Sequence, residues 1–113
     1  MSSSEPTRRL QDILANVDRI RRHIDKMSAA RFAADDKTQD AVERCLERIS
    51  EAARKLGDRF DTIYPEVEFS KLRQLGSVLR HDYDDIDADI LWRTVMERLD
   101  PLETACRKES EKG

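Results

Sequence analysis

The strongest constraint on the fold is an apolar repeat of three and four residues that recurs along most of the chain. This spacing places apolar side chains on one face of an α-helix. No segment alternates apolar and polar residues with a period of two, so we expect no β-sheet. We predict an all-α protein, an antiparallel helical bundle of four main helices. The first stripe comprises Leu10, Ile13, Leu14, Val17, Ile20, Ile24 and Met27.

Helix start and stop signals set the bounds of the first two helices. The first should run over about Pro6–Met27, because proline is tolerated in a first turn. Phe32, in the joint that follows, should tuck beneath the bundle. The second helix should begin at an N-cap, Asp36, with Gln39 completing a capping box, and should stop at Gly57.

The third helix should run over about Phe69–Asp82, since Pro65 prevents a continuous helix before it. A fourth should follow an N-cap at Asp87, with Ile86 and Leu91 forming a hydrophobic staple. Pro101 should kink or split this last helix. The residues expected to face inward are Ile90, Leu91, Val95, Met96 and Leu99.

Length and composition set the broad class. With 113 residues the chain forms one domain, which we place at residues 6–107, between a disordered N-terminus (1–5) and a charged disordered tail (108–113). A net charge of −3 excludes a global basic field, so any RNA contact needs a local patch. We expect Cys45 and Cys106 to be reduced and buried, and no membrane span or targeting segment is evident. We therefore predict a cytoplasmic protein.

The stretch LGSVLRHDYDDID, residues 75–87, places His81 where the chain changes from basic to acidic. The ordinary explanation is that acids gather at the positive N-terminus of the next helix. A calcium loop starting at Asp85 would need glycine at Ile90 and glutamate at Met96, so it fails. Zinc ligands are absent at the required spacing. We expect no metal and no other cofactor.

His81 could instead belong to a phosphodiester-cleaving site. Arg73, Ser77 and His81 share one helix face at a spacing of four, and Arg80 is adjacent. Cleaving RNA without a metal needs an imidazole that moves protons and a cation that holds the phosphate. A two-fold dimer would bring two such helices together. Spacing alone favours the simpler view, a histidine and an arginine placed favourably at a helix C-terminus.

Two long segments resemble a HepT-like protein of the HEPN superfamily, and the resemblance spans residues 10–102. They read FAADDKTQDAVERCLERISEAARKL and YPEVEFSKLRQLGSVLRHDYDDIDADILWRTV. The resemblance implies a two-fold dimer, metal-independent endoribonuclease activity and a role as the toxin of a toxin-antitoxin pair. It also implies a minimal nucleotidyltransferase antitoxin, MntA-like, which silences the toxin by transferring AMP to a tyrosine. Tyr83 stands at that position, two residues after His81.

The chain departs from the family motif at one place. The family arginine lies five residues before the histidine and precedes an asparagine, whereas this chain has Gly76 and Ser77 there. His81 and Tyr83 therefore carry over directly, while Arg80 or Arg73 would have to replace the arginine. Ser77 and Asp82 are candidate supporting residues. Two hypotheses remain: an active ribonuclease toxin, and a catalytically inactive HEPN dimer that serves as the binding subunit of a nucleotidyltransferase complex.

Overall fold

The fold was analysed in a computed structural model, which describes residues 5–81 and 87–112, with the side chain of His81 left out. Five α-helices and one 3₁₀ turn are formed within these residues, and no strand is found among them. Four of the helices are long, which confirms the all-α bundle. The elements are α1 Glu5–His23, α2 Ala29–Ala33, α3 Asp36–Leu56, the 3₁₀ turn Pro65–Val67, α4 Phe69–His81 and α5 Ala88–Lys112.

Helix α1 ends at His23, one turn before the predicted end at Met27. The chain turns because Lys26 adopts a left-handed conformation (φ 62°), which a continuing helix does not allow. A short helix then occupies the predicted joint. Ser28 caps α2, its hydroxyl accepting a hydrogen bond from the amide of Arg31 at 3.1 Å. Phe32 is fully buried, as predicted.

The N-cap of α3 lies one residue before the predicted one, and the helix begins at Asp36. The cap is Asp35 rather than Asp36, and its carboxylate accepts a hydrogen bond from the amide of Thr38 at 3.0 Å. Gln39 forms no capping box, because its side-chain amide donates to the carbonyl of Phe32 at 2.8 Å. The predicted stop at Gly57 is confirmed. Its φ of 71° is one that glycine adopts readily at a helix end.

The start of α5 confirms Asp87 as its cap, since the Asp87 carboxylate accepts a hydrogen bond from the amide of Ile90 at 2.9 Å. Ile86, the other member of the expected staple, lies outside the described residues. The helix runs without a break through Pro101 to Lys112, so it bends at the proline position at most and is not split. Residues 108–112, predicted as a disordered tail, are helical.

Two inward positions on α5 were predicted wrongly. Ile90 and Met96 are 47% and 49% exposed, because the buried stripe of this helix follows Leu91, Val95 and Leu99 at a spacing of four. The helical tail has a tertiary anchor: the hydroxyl of Tyr64, beside the 3₁₀ turn, donates to the carboxylate of Glu109 at 2.6 Å. Cys45 and Cys106 are buried and free, as predicted.

Helix α3 packs between α1 and α4, and α5 packs mainly against α1. Ser50 of α3 contacts Gly76 of α4. Gly57, the C-cap of α3, contacts Arg73, which lies about one turn before Gly76 on α4. On the other side of α3, Arg19 lies beside Arg48 and Asn16 beside Ala52. Both neighbours are therefore antiparallel to α3. Consequently α1 and α4 end at the same end of the bundle, where α3 begins.

Candidate functional site

Four of the residues predicted to form the site lie on α4: Arg73, Ser77, Arg80 and His81. Leu72 and Leu79 anchor this helix in the core, which leaves Ser77 and Arg80 exposed. His81 is its last residue. The side chain of His81, together with Asp82 and Tyr83, lies outside the described residues.

Arg73 is engaged within the fold. Its guanidinium donates to both carboxylate oxygens of Asp61, at 2.9 and 2.7 Å, and to the carbonyl of Gly57 at 2.9 Å. The Arg73 side chain is 22% exposed. The hydrogen bonds from Arg73 lower the pKa of Asp61 below its usual value. Arg73 thus ties α4 to the C-terminal end of α3. Its guanidinium is already engaged by Asp61 and Gly57.

Gly76 marks the closest approach of α3 and α4. Its amide donates to the hydroxyl of Ser50 at 2.9 Å, and this hydroxyl donates to the carbonyl of Arg73 at 3.2 Å. A Cβ atom at residue 76 would lie 2.7 Å from the Ser50 oxygen. Glycine is therefore required by the packing, and the approach it permits is to α3 of the same chain.

The side chain of Arg80 folds back along α4 toward Gly76. One guanidinium nitrogen of Arg80 lies 3.2 Å from the point where a Cβ of residue 76 would stand. Arg80 is exposed, and no carboxylate of the described residues pairs with it. The cation thus stands over the position at which the family motif has its arginine.

Two buried polar residues, one on each side of α3, were not singled out by the sequence pattern. Ser50 and Asn16 are 1% and 8% exposed. Both stand at apolar positions of their stripes: Ser50 follows Leu46 by four residues, and Asn16 follows Ile13 by three. A polar residue at such a position is the signal that would have found them, because a buried polar group requires a partner.

The described residues contain no group of three or more side chains suited to hold a metal ion. Among the same residues, no helix is both long enough and apolar enough to cross a bilayer. The site is thus a basic helix end on an all-α bundle, with Arg80 exposed beside the last residue of α4.

An antiparallel helical bundle with an exposed arginine and a histidine at one helix end is the architecture found here, and sequence comparisons identify its family. The family model "Ribonuclease HepT-like" matches residues 13–109. The chain belongs to the HepT-like family. No solved structure matches the chain.

Individual relatives agree with the family model. The chain is 32% identical over 93 residues to a protein of Thermococcus cleftensis named "Probable ribonuclease HepT", with 82% of this chain and 84% of that protein covered. It is 37% identical over 90 residues to a provisionally assigned RNase of Methanocaldococcus jannaschii, covering 80% and 74%. A second such protein of M. jannaschii is 30% identical over 97 residues, covering 86% and 89%.

Proposed function

We propose that this protein is the toxin of a toxin-antitoxin pair, a metal-independent endoribonuclease that acts as a homodimer. His81 transfers protons during cleavage, and Arg80 holds the scissile phosphate. The observation that carries the proposal is the position of the Arg80 guanidinium over Gly76. Family membership supports the ribonuclease assignment, because the matching model and the relatives are named for that activity.

The two candidate arginines differ in availability. Arg73 is bound to Asp61 and Gly57, so releasing it for a phosphate would break three hydrogen bonds. Arg80 has no described carboxylate partner and is exposed. A guanidinium binds phosphate oxygens through two parallel N–H groups. Arg80 is therefore the better phosphate ligand, and it supplies from the next helical turn the charge that residue 76 lacks.

Cleavage without a metal follows from these groups. The ribose 2′-hydroxyl attacks the adjacent phosphorus, forming a 2′-O–P bond as the bond to the 5′-oxygen breaks. His81 takes the proton of the 2′-hydroxyl, and an acid, the partner subunit's copy of the same histidine, protonates the departing oxygen. The Arg80 guanidinium stabilises the negative charge that develops on the phosphate.

The dimer proposal is supported by apolar side chains left uncovered near the same helix ends. Val78, one turn before the end of α4, is 45% exposed, and Ile90, in the first turn of α5, is 47% exposed. Ser77, exposed next to Val78 on α4, is a candidate support for the site, as is Asp82. A two-fold axis near the end of α4 would bury Val78 of each subunit and bring the two copies of His81 together.

Silencing by an MntA-like nucleotidyltransferase antitoxin is proposed from the resemblance to HepT-like toxins, in which the AMP acceptor is a tyrosine two residues after the motif histidine, the place of Tyr83 here. AMP transfer would form a phosphodiester between the Tyr83 oxygen and the α-phosphate of ATP, with pyrophosphate leaving. The new phosphate would be attached three residues after Arg80. It would compete with the RNA phosphate for that guanidinium, and the nucleoside would fill the surrounding space.

The decisive test is cleavage of cellular RNA by the purified, unmodified protein in the presence of a chelator. We expect cleavage by the parent, a loss of about 10²- to 10⁴-fold in His81→Ala and of about 10²- to 10³-fold in Arg80→Gln. Arg93→Gln is the matched control, since Arg93 is an arginine on α5 whose side chain is 67% exposed. Equal cleavage by the parent and His81→Ala would contradict the proposal.

One observation favours the inactive-dimer alternative. Residue 76 is packed so tightly against Ser50 that the fold has no room for the family arginine. If the folded, dimeric parent failed to cleave RNA while it still bound a nucleotidyltransferase, the protein would be the binding subunit of that complex.

A further inference from the structure

A groove between α1 and α3 lies on the face of α3 that is turned away from α4. Three neighbouring cavities form it, with volumes of about 260, 270 and 340 Å³. The first two share Asn16 and Arg48, and the last two share Arg19. The first two cavities lie between α1 and α3, and the third adjoins them along α1 at Arg19; together they are here called the α1–α3 groove. Arg22 and His23 line its far end.

One end of the groove is positively charged. Arg19 and Arg48 are exposed, and neither pairs with a carboxylate among the residues that the structure describes. Arg22 meets Asp18 at 3.3 Å, but both side chains are 71% exposed, so this pair is weak. At the other end the charge is neutralised, because Arg9 pairs with Glu5 and Asp12. Arg19, Arg22, His23 and Arg48 are called the basic end of the groove.

Three arginines of the basic end affect the pKa of the buried thiol of Cys45. Burial raises the pKa of the Cys45 thiol, and the positive charges of Arg48, Arg19 and Arg22 act against that rise. Three guanidinium groups from two helices thus lie close enough to Cys45 for their charges to act on its thiol. Like charges held together in this way repel, which favours an anion between them.

A buried acceptor lies beneath the groove. The side-chain nitrogen of Asn16 donates to the carbonyl of Asp12 at 2.9 Å, whereas its buried side-chain oxygen accepts no hydrogen bond from residues 5–81 or 87–112. Such an acceptor is costly to leave unpaired. Asn16 lines two of the three cavities, so a ligand hydroxyl, or an arginine shifted by a ligand, could donate to it.

The basic end of the groove and the site on α4 occupy the same end of the bundle. Both α1 and α4 run antiparallel to α3, so His23 and His81 end their helices at that end. Helix α3 separates the two surfaces, since it packs between α1 and α4. An RNA strand that contacts both Arg80 and the groove would therefore cross α3.

We propose that the basic end of the α1–α3 groove binds phosphates of the RNA substrate away from the scissile bond. This inference rests on the proposed function only in taking RNA as the substrate. Phosphate suits the site because guanidinium groups bind it through paired N–H donors, and because successive phosphates of a strand match a continuous groove with several arginines. The net charge of −3 makes such a local patch necessary for RNA affinity.

The test measures RNA binding separately from cleavage. All variants carry His81→Ala, and binding of a labelled single-stranded RNA is followed by fluorescence anisotropy at several salt concentrations. The double variant Arg19→Gln/Arg48→Gln removes one arginine from each helix at the basic end. Its control, Arg8→Gln/Arg54→Gln, removes one exposed arginine from each of the same helices at the opposite end. Both lose the same charge, and thermal unfolding checks their folding.

We expect the basic-end variant to bind RNA several-fold more weakly than the parent. The slope of log K against log salt should fall by about 1.4, since each phosphate contact on a single strand contributes about 0.7. The control should keep the parent slope. Unchanged binding by a folded Arg19→Gln/Arg48→Gln variant would overturn the inference, whether or not the parent cleaves RNA.

Two further outcomes separate this inference from the proposed function. RNA binding that needs Arg19 and Arg48, in a parent that does not cleave RNA, would support the groove and refute the ribonuclease. If the parent bound no RNA, and the basic-end variant instead lost binding to the nucleotidyltransferase, the groove would be a protein-binding surface and the RNA inference would be wrong.

Discussion

The amide of Gly76 donates a hydrogen bond to the hydroxyl of Ser50 at 2.9 Å, and this pair holds α4 against α3 at the motif position. The same contact explains why the chain departs from the family pattern at residue 76. A side chain there would collide with Ser50, whereas the Arg80 guanidinium, from one turn later, approaches the same position.

The first prediction concerns Gly76→Ala. Alanine favours a helix over glycine by up to about 1 kcal/mol, yet the new Cβ would lie 2.7 Å from the Ser50 hydroxyl oxygen. We expect the collision to dominate and to lower the free energy of unfolding by about 1–3 kcal/mol, as measured by urea denaturation. Ser50→Gly in the same chain should recover part of the loss. If Gly76→Ala alone were more stable than the parent, α3 and α4 would be able to move apart at this contact.

The second prediction separates the two candidate arginines. Arg73→Gln should lower the denaturation midpoint, because it breaks the contacts with Asp61 and Gly57, and should keep RNA cleavage within about twofold per folded molecule. Arg80→Gln should do the reverse, keeping stability and losing cleavage by about 10²-fold or more. The same two measurements on both variants test this. Loss of cleavage in a folded Arg73→Gln variant would return the phosphate role to Arg73.

The third prediction concerns Tyr64. Its hydrogen bond to the Glu109 carboxylate raises the pKa of Tyr64 to about 12. Because the folded-state pKa exceeds the unfolded value, the stability that this group contributes is present below pH 10 and is lost as the pH rises toward 12. Tyr64 and Tyr83 are the only two tyrosines, so a Tyr83→Phe variant reports Tyr64 alone.

Titration of the phenolate absorbance of Tyr83→Phe should therefore give a pKa near 12 in the folded protein, and the ordinary value near 10 in urea. Glu109→Gln should bring the folded value down, since the carboxylate is the main cause of the rise. An ordinary value in the folded Tyr83→Phe variant would mean that Tyr64 and Glu109 are not bonded in solution.

The fourth prediction tests the regulatory tyrosine. If Tyr83 accepts AMP, the Tyr83→Phe variant should remain toxic to cells in which a co-expressed nucleotidyltransferase silences the parent. Mass spectrometry of the parent should show one AMP per chain, and none on the variant. Tyr64→Phe is the matched control, because Tyr64 is buried and should leave the modification unchanged. An AMP group on Tyr83→Phe would place the acceptor elsewhere.

Sequence reasoning succeeded where the deciding interactions are local. The stop at Gly57 and the cap at Asp87 depend on one or two neighbouring residues, and both were predicted correctly. It was less accurate where neighbours from other elements decide. Ile90 and Met96 fit an apolar pattern on α5, but no other helix covers them in the chain that the structure describes. Residues 108–112 look like a charged tail, yet Tyr64 anchors them at Glu109.

The amino-acid sequence by itself determined the all-α class, the four long helices and the family, because hydrophobic periodicity, capping and motif residues are properties of short segments. The tertiary structure alone decided which of the two arginines is engaged by other described residues. Asp61 and Gly57, distant in sequence, engage Arg73, while Gly76 leaves space that Arg80 approaches. The groove with Arg19 and Arg48 arose in the same way, since its charges come from two helices that only packing brings together.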